Sequence, residues 1–303
     1  MKKFEEIQCP LCERNRTEKL LEGEDMRLNT TPDKFRVVFC KDCRFIYINP
    51  RPKEEELSKF YPPDYHNPTL LILEMFYLPV IKMVFKRIIR EIKKIKKSGR
   101  ILDIGCGKGV FLRELLKYGY DIYGVDPYEN ILECVLPEVR SRVKNSSILN
   151  TKFPENFFDV IVMKQVLEHI YDINAVIREI RRILKKDGIA YVEVPNFNCK
   201  EAKLFEKFWY NLEIPRHLYQ FTKETLKKFF LKYDFKVSKE LGNFGIMIFK
   251  SPLAIVNSFY FFLKKKVKSN LIVNLTKIPS FFPLIFITLI LRFFRGRKVW
   301  ILG

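Results

Sequence analysis

Three regimes of hydrophobic and polar patterning follow one another along the chain. Residues 1–50 break into short β-prone runs punctuated by Cys9-Pro10-Leu11-Cys12 and Cys40-Lys41-Asp42-Cys43. From Leu70 to Lys97 apolar residues recur at helical spacing, mostly apolar as far as Phe85 and increasingly basic beyond it. This predicts one or two helices with a kink at Pro79. From Arg100 the period switches back and forth. Strands are expected at Arg100–Ile104, Asp121–Val125, Asp159–Met163 and Ile189–Val194, and helices at Val110–Tyr118, Ile173–Lys185 and Thr222–Lys232. The Ile173 helix carries its own stop, Lys185-Lys186-Asp187-Gly188. Strands alternating with helices over this length predict an α/β fold with a doubly wound sheet.

Proline sets the boundaries. Pro50, Pro52, Pro62, Pro63 and Pro68 mark a tether between the N-terminal piece and the alternating region. The expected organisation is 1–50, a cysteine-bearing domain; 51–97, tether and amphipathic helices; 98–244, the α/β core; 245–296, an apolar and basic helical insertion; and 297–303, a last strand of the core sheet.

Charge changes this picture in two places. The 303 residues hold 55 Lys+Arg against 35 Asp+Glu, a net +20. Nine basic residues and one acid lie between Lys82 and Arg100, and ten basic residues and no acid between Phe244 and Gly303, so nearly all of the excess sits in two stretches. The partner such patches imply is anionic: nucleic acid, a membrane surface or an anionic metabolite. Nucleic acid is disfavoured, because the cations flank apolar runs instead of lying among polar residues with spaced stacking aromatics. Two uncharged, phenylalanine-rich runs, Ser251–Leu263 and Ile278–Leu291, are 13 and 14 residues long and flanked only by cations. That is short of the roughly 20 residues a spanning helix needs. It matches a segment lying in an anionic interface, so peripheral association with the cytoplasmic face of a membrane is expected.

The N-terminus, Met1-Lys2-Lys3-Phe4-Glu5-Glu6, has no apolar signal run, which points to a reducing cytoplasm. There Cys9, Cys12, Cys40 and Cys43 offer two i, i+3 knuckles, enough to close a tetrahedral shell around Zn²⁺ with no open position. Such a metal would be structural. Cys106, Cys134 and Cys199 lack pairing spacing and read as small apolar residues.

The chemical signal of the core is Ile101-Leu102-Asp103-Ile104-Gly105-Cys106-Gly107-Lys108-Gly109, a strand running into a loop and then a helix. Glycines let a backbone turn sharply and a ligand approach it. Asp126, at the end of the following strand, can accept from two ribose hydroxyls. The third glycine comes one residue early for a dinucleotide fingerprint, and Asp103 beside the loop disfavours a pyrophosphate. It suits a ligand bearing an ammonium or sulfonium group.

At these residues the chain resembles the class I S-adenosylmethionine-dependent methyltransferases. The resemblance continues through Phe158-Asp159-Val160-Ile161-Val162, Val166-Leu167-Glu168-His169-Ile170 and Leu184 to Gly188, covering about residues 98–242. It implies a seven-stranded Rossmann-like sheet and S-adenosylmethionine as cofactor. Asp103, Gly105, Cys106 and Gly107 would hold its methionine end, Asp126 the ribose, and Ser147 and Ile148 would flank the adenine. The cysteine knuckles, Asn49-Pro50-Arg51-Pro52 and Pro215-Arg216-His217-Leu218-Tyr219-Gln220-Phe221-Thr222 in the same chain make it similar to the zinc-ribbon methyltransferases assigned to sugar and glycan biosynthesis. A sugar, glycan or lipid-linked acceptor follows from that likeness. A prenylated quinone, an RNA, and a non-catalytic cofactor-binding scaffold remain as alternatives.

Methyl transfer to an OH or an enolisable carbon needs alignment and a proton acceptor. His217 and His169 are the candidate bases, with His66 behind them, and Arg216 either recognises an anionic group on the acceptor or makes a structural salt bridge. Nothing in the sequence fixes the acceptor atom or the oligomeric state.

Overall fold

A computed structural model describes residues 3–62, 65, 71–242, 257–259, 261, 262 and 298–302. The strands are β1 (Phe4–Glu5), β2 (Thr17–Glu24), β3 (Lys34–Cys40), β4 (Ile46–Ile48), β5 (Arg51–Pro52), β6 (Arg100–Ile104), β7 (Asp121–Asp126), β8 (Val143–Asn145), β9 (Phe158–Lys164), β10 (Leu184–Glu193), β11 (Tyr219–Gln220), β12 (Val237–Gly242) and β13 (Lys298–Leu302). The helices are α1 (Glu54–Leu57), α2 (Leu71–Ile95), α3 (Val110–Leu116), α4 (Ile131–Cys134), α5 (Ile173–Ile183), α6 (Lys200–Phe205) and α7 (Lys223–Leu231).

The chain divides into two units. The larger comprises residues 62–194, 226–245 and 298–303. Its sheet runs β12-β13-β10-β9-β6-β7-β8, in which the five strands from β10 to β8 are parallel and β13 is antiparallel to both β10 and β12. The two central strands are buried on both faces. Ile101 and Leu102 of β6, and Val160, Ile161, Val162 and Met163 of β9, are all fully buried. A parallel strand covered on both sides needs a continuous apolar run, which is what these segments supply.

Helix α5 shows how one element is made. Asp172 caps it by accepting from the Ala175 N–H, and Ile173, Val176, Ile177, Ile180 and Ile183 form its buried stripe at the 3.6-residue period. The helix ends two residues before the expected Lys185, because Leu184 already pairs with Phe158 in the sheet. Lys185 to Gly188 then forms an irregularity inside β10 instead of a helical stop. α2 runs as one helix through Pro79.

The smaller unit comprises residues 1–61, 195–225 and 246–297. This moves residues 195–225 out of the expected 98–244 core. The reason is pairing: β11 adds to a four-stranded sheet of order β11-β4-β3-β2, and the Ile48 N–H donates to the Leu218 carbonyl. Trp209, Leu212 and Ile214 join Phe35, Val37, Ile46, Ile48 and Phe60 in one apolar cluster. Of the expected 245–296 insertion, most residues lie outside those described, as does His66. Within it Ser258 is buried and its Oγ accepts from the Tyr210 N–H. Among the described residues no helix is long and apolar enough to cross a membrane.

Candidate functional site

The glycine loop leaves β6 at the carboxyl edge of the parallel sheet, where open α/β folds bind ligands. Gly105, Gly107 and Gly109 all have positive φ, of 68°, 51° and 74°. At Gly105 the tightness is internal, since a Cβ would come within 2.3 Å of the Val166 side chain. Gly107 differs: a Cβ there would meet nothing within 4 Å, so its missing side chain leaves open space above the turn. Cys106 between them is buried. That burial, followed by the charges of Asp103 and Asp126, pushes its thiol well above the ordinary range.

Asp126 is almost fully buried at the end of β7. One carboxylate oxygen accepts from the Gly107 N–H at 2.9 Å and the other from the Tyr128 N–H at 3.0 Å. The Asn145 amide donates to the backbone carbonyls of Asp126 and Tyr128, which fastens the β7 and β8 ends together. The carboxylate is thus fixed beside the glycine turn. Ser147 accepts from the Leu149 N–H and starts a short turn that buries Ile148.

Asp103 is wholly buried, one residue before the strand ends. Its Oδ1 accepts from the Lys164 ammonium at 2.6 Å, and its Oδ2 has no hydrogen-bond partner. Burial raises its pKa, the Asp126 charge raises it further, and Lys164 opposes both. Lys164 was not a sequence candidate. The available signal was a lone cation closing the buried apolar run Val160–Met163. Two acids near the same sheet edge were also overlooked: Glu168, in the turn after β9, and Glu193, which ends β10, are each about 1% exposed. Among apolar neighbours such residues read as part of the core pattern.

An open glycine turn, a carboxylate oxygen without a partner and a rigid second carboxylate fit a ligand carrying an ammonium and a ribose. The larger unit therefore brings together Asp103, Gly105, Cys106, Gly107 and Asp126. Half-buried His169 ends the turn Leu167–His169, whose other two residues are buried, after β9 in the same unit.

The smaller unit holds the other candidates. The Sγ atoms of Cys9, Cys12, Cys40 and Cys43 all lie within 4.8 Å of one another. Four sulfurs at about 2.3 Å from one zinc ion would be about 3.8 Å apart. The knuckle backbones turn N–H groups toward them, from Leu11 and Cys12 to Cys9 and from Asp42 and Cys43 to Cys40. Burial pushes the Cys43 thiol up to about 11 and Cys9 higher still, while at Cys40 burial is outweighed by the Cys43 and Asp42 N–H groups and the thiol is lowered; a cation among the four would favour the charged form of all of them. The donor set fits zinc.

Arg216 is fully buried and resolves one of the alternatives left by the sequence. Its guanidinium makes bonds of 2.9 and 2.6 Å to the two Asp25 oxygens, with further bonds to Glu213 Oε1 and the Phe60 carbonyl. It is the centre of a structural ion network with Asp25 and Glu213 of its own unit. Asp25 is held below the usual carboxylate range: burial works against the charge, and the bonds and charge of Arg216 outweigh it. Arg27 also pairs with Glu213. His217 is 4% exposed, with Nδ1 2.8 Å from the Asn211 carbonyl. Burial lowers its pKa to about 4 although Glu213 pulls the other way.

Comparison with known proteins agrees with this geometry. A family profile described as a methyltransferase domain matches residues 80–240. The chain is 32% identical over 166 residues to an uncharacterized protein of Methanocaldococcus jannaschii, covering 53% of this chain and 68% of that one. It is 31% identical over 141 residues to an uncharacterized methyltransferase of Schizosaccharomyces pombe, and 29% identical over 121 residues to a ubiquinone biosynthesis O-methyltransferase of Bradyrhizobium diazoefficiens. These last two matches take in 42% and 38% of this chain, and 48% of each relative. The chain thus spans about half the length of these curated relatives. Among solved structures, phosphoethanolamine N-methyltransferase 2 of Haemonchus contortus shares the fold, with a TM-score of 0.51 at 17% identity over 94% of this chain and 67% of that one.

Proposed function

Since the chain belongs to the class I S-adenosylmethionine-dependent methyltransferases, we propose that it moves the cofactor's methyl group onto a sugar or a lipid-linked glycan or cell-envelope precursor. The observation that carries the cofactor part is the Gly107 turn, open above its Cα and hydrogen-bonded by its N–H to Asp126. Asp103 and the Gly105–Gly107 turn with Cys106 would hold the methionine end, Asp126 the ribose hydroxyls, and Ser147 and Ile148 the adenine. When bound, the cofactor supplies a methyl group already activated by its sulfonium, so the protein's work is alignment and proton removal.

For that proton we assign His169. An effective base has a pKa near the working pH, and burial holds His217 at about 4. The glycan reading is supported by the smaller unit, in which the cysteine knuckles and the 215–222 segment form one body around the Arg216–Asp25 pair. Zinc held by Cys9, Cys12, Cys40 and Cys43 would be its structural centre. Helix α2, with Met83 and Ile95 exposed and Lys82, Lys86, Arg87 and Arg90 alongside, has the composition of a surface that meets anionic lipid. A prenylated quinone is the second acceptor class, favoured by the ubiquinone-biosynthesis O-methyltransferases among the relatives.

Titration of the protein with S-adenosylmethionine tests the core of this reading. Asp126→Ala should weaken binding by about 2–3 kcal/mol, the range for charge-assisted hydrogen bonds. Equal affinity for wild type and variant would remove the ribose assignment, and tighter binding of a nicotinamide dinucleotide would remove the cofactor. Release of S-adenosylhomocysteine with lipid-linked sugars, but not with demethylated prenylquinones, selects the first acceptor class. His169→Ala should then slow turnover about 10²–10⁴-fold without altering cofactor affinity.

A further inference from the structure

The Lys164–Asp103 pair lies where the methionine end of the cofactor is expected, and its two halves are unequally committed. Asp103 Oδ1 is bonded to the Lys164 ammonium at 2.6 Å, while Oδ2 is buried without a partner. Lys164 retains 8% side-chain exposure against 1% for Asp103, so the lysine is the more accessible half of the pair. The strand register explains the placement. β6 and β9 run parallel with Asp103 beside Val162 and Ile104 beside Met163, so Lys164 comes level with the start of the glycine loop. The ammonium also sits 3.9 Å from the centre of the Phe111 ring, an apolar flank that screens it from water.

An amino-acid end group carries its ammonium and its carboxylate on one carbon. A cation and an anion held side by side, each with hydrogen-bonding capacity left, are its complement. An ammonium has three donors, and the bond to Oδ1 uses one. Resting on the cofactor reading above, we infer that Lys164 binds the carboxylate of the cofactor's methionine end while Asp103 Oδ2 takes the ammonium, the two forming a clamp for a zwitterion. Lys164 is then a cofactor-positioning residue of this chain. It would favour ligands that keep the amino-acid carboxylate over those that have lost it.

Decarboxylated S-adenosylmethionine is the discriminating probe, because it keeps the adenosine, the sulfonium and the ammonium and lacks only the carboxylate. Calorimetry with both ligands should show wild type binding the decarboxylated form about 10- to 100-fold more weakly, the worth of one charge-assisted hydrogen bond. Lys164→Gln should bind the two alike, with S-adenosylmethionine weakened by a similar factor, and Lys164→Arg should keep most of the wild-type preference. Wild type binding both ligands equally overturns the clamp without any variant, which covers the case in which Lys164→Gln does not fold. A Lys164→Gln protein that keeps the full preference also overturns it. So does one that binds S-adenosylmethionine more tightly than wild type, since Lys164 would then compete with the ligand's ammonium for Asp103. Failure of wild type to bind either ligand overturns the cofactor reading itself, and this inference with it.

Discussion

In the parallel sheet, β6 and β9 bury an almost unbroken run of aliphatic side chains, and the single buried ion pair of those strands, Lys164–Asp103, stands at the ligand edge. In the smaller unit, four thiols and the network of Asp25, Arg27, Glu213, Arg216 and His217 sit beside a short apolar cluster. The difference follows from size. A wide sheet covered on both faces can draw its stability from apolar area, at roughly 1.5–3 kcal/mol for each fully buried large side chain. A four-stranded sheet with small layers has less area to bury and relies on groups whose partners must be present. The larger unit should therefore fail gradually as atoms are removed from it, and the smaller one abruptly when a partner is lost.

The largest test is the metal. The purified protein should contain about one zinc per chain, and Cys40→Ser or a strong chelator should remove on the order of 10 kcal/mol of folding free energy from the smaller unit. Emission of Trp209, isolated by Trp300→Phe, would report the loss, while cofactor binding in the larger unit should survive. Absence of metal with all four thiols open to labelling in the native state would break the comparison.

Next in size is the ion network. Arg216→Met takes the counter-charge from buried Asp25, leaving it only the N–H groups of Leu28 and Thr30 and the Thr30 hydroxyl, and should cost about 3–5 kcal/mol in urea unfolding; adding Asp25→Asn, which removes the charge and keeps an acceptor for those donors, should recover part of it. A double variant as unstable as the single one would mean that the network contributes through packing alone. For the larger unit, Ile161→Ala should cost about 2–5 kcal/mol with no recovery from any polar substitution nearby.

The smallest effect is on pH. Burial places the folded pKa of His217, about 4, below its unfolded value of 6.5. Its share of stability is complete above pH 6.5 and is lost as pH falls toward 4. Thermal unfolding followed at Trp209 should show ~1 kcal/mol lost at pH 5.5 and ~3 near pH 4. Asp25, whose pKa is lowered, loses its contribution further into acid. His217→Gln should flatten the upper part of this dependence, and an unchanged profile would show that another group governs it.

Much of the candidate cofactor site was legible in the sequence because its parts are local. A glycine loop after an apolar strand, and an acid closing the next strand, are fixed by chain order and by what a turn requires. The cysteine knuckles were legible for the same reason: i, i+3 spacing is itself a geometry. Arg216 and Lys164 were not. Arg216 meets Asp25 from 191 positions away, and Lys164 meets Asp103 from 61 positions away across a strand register. No local pattern announces either pairing.

The sequence by itself determined the alternation of strands and helices, the turn chemistry of residues 105–109 and the thiol spacing, since each depends on backbone preferences and periodicity over a few residues. Tertiary structure alone decided that residues 195–225 join the N-terminal strands, that Arg216 is spent on Asp25, that burial makes His217 a weak base, and that a lysine stands on Asp103. Those outcomes turn on which distant groups share a dry environment, where the cost of an unpaired charge selects the partner.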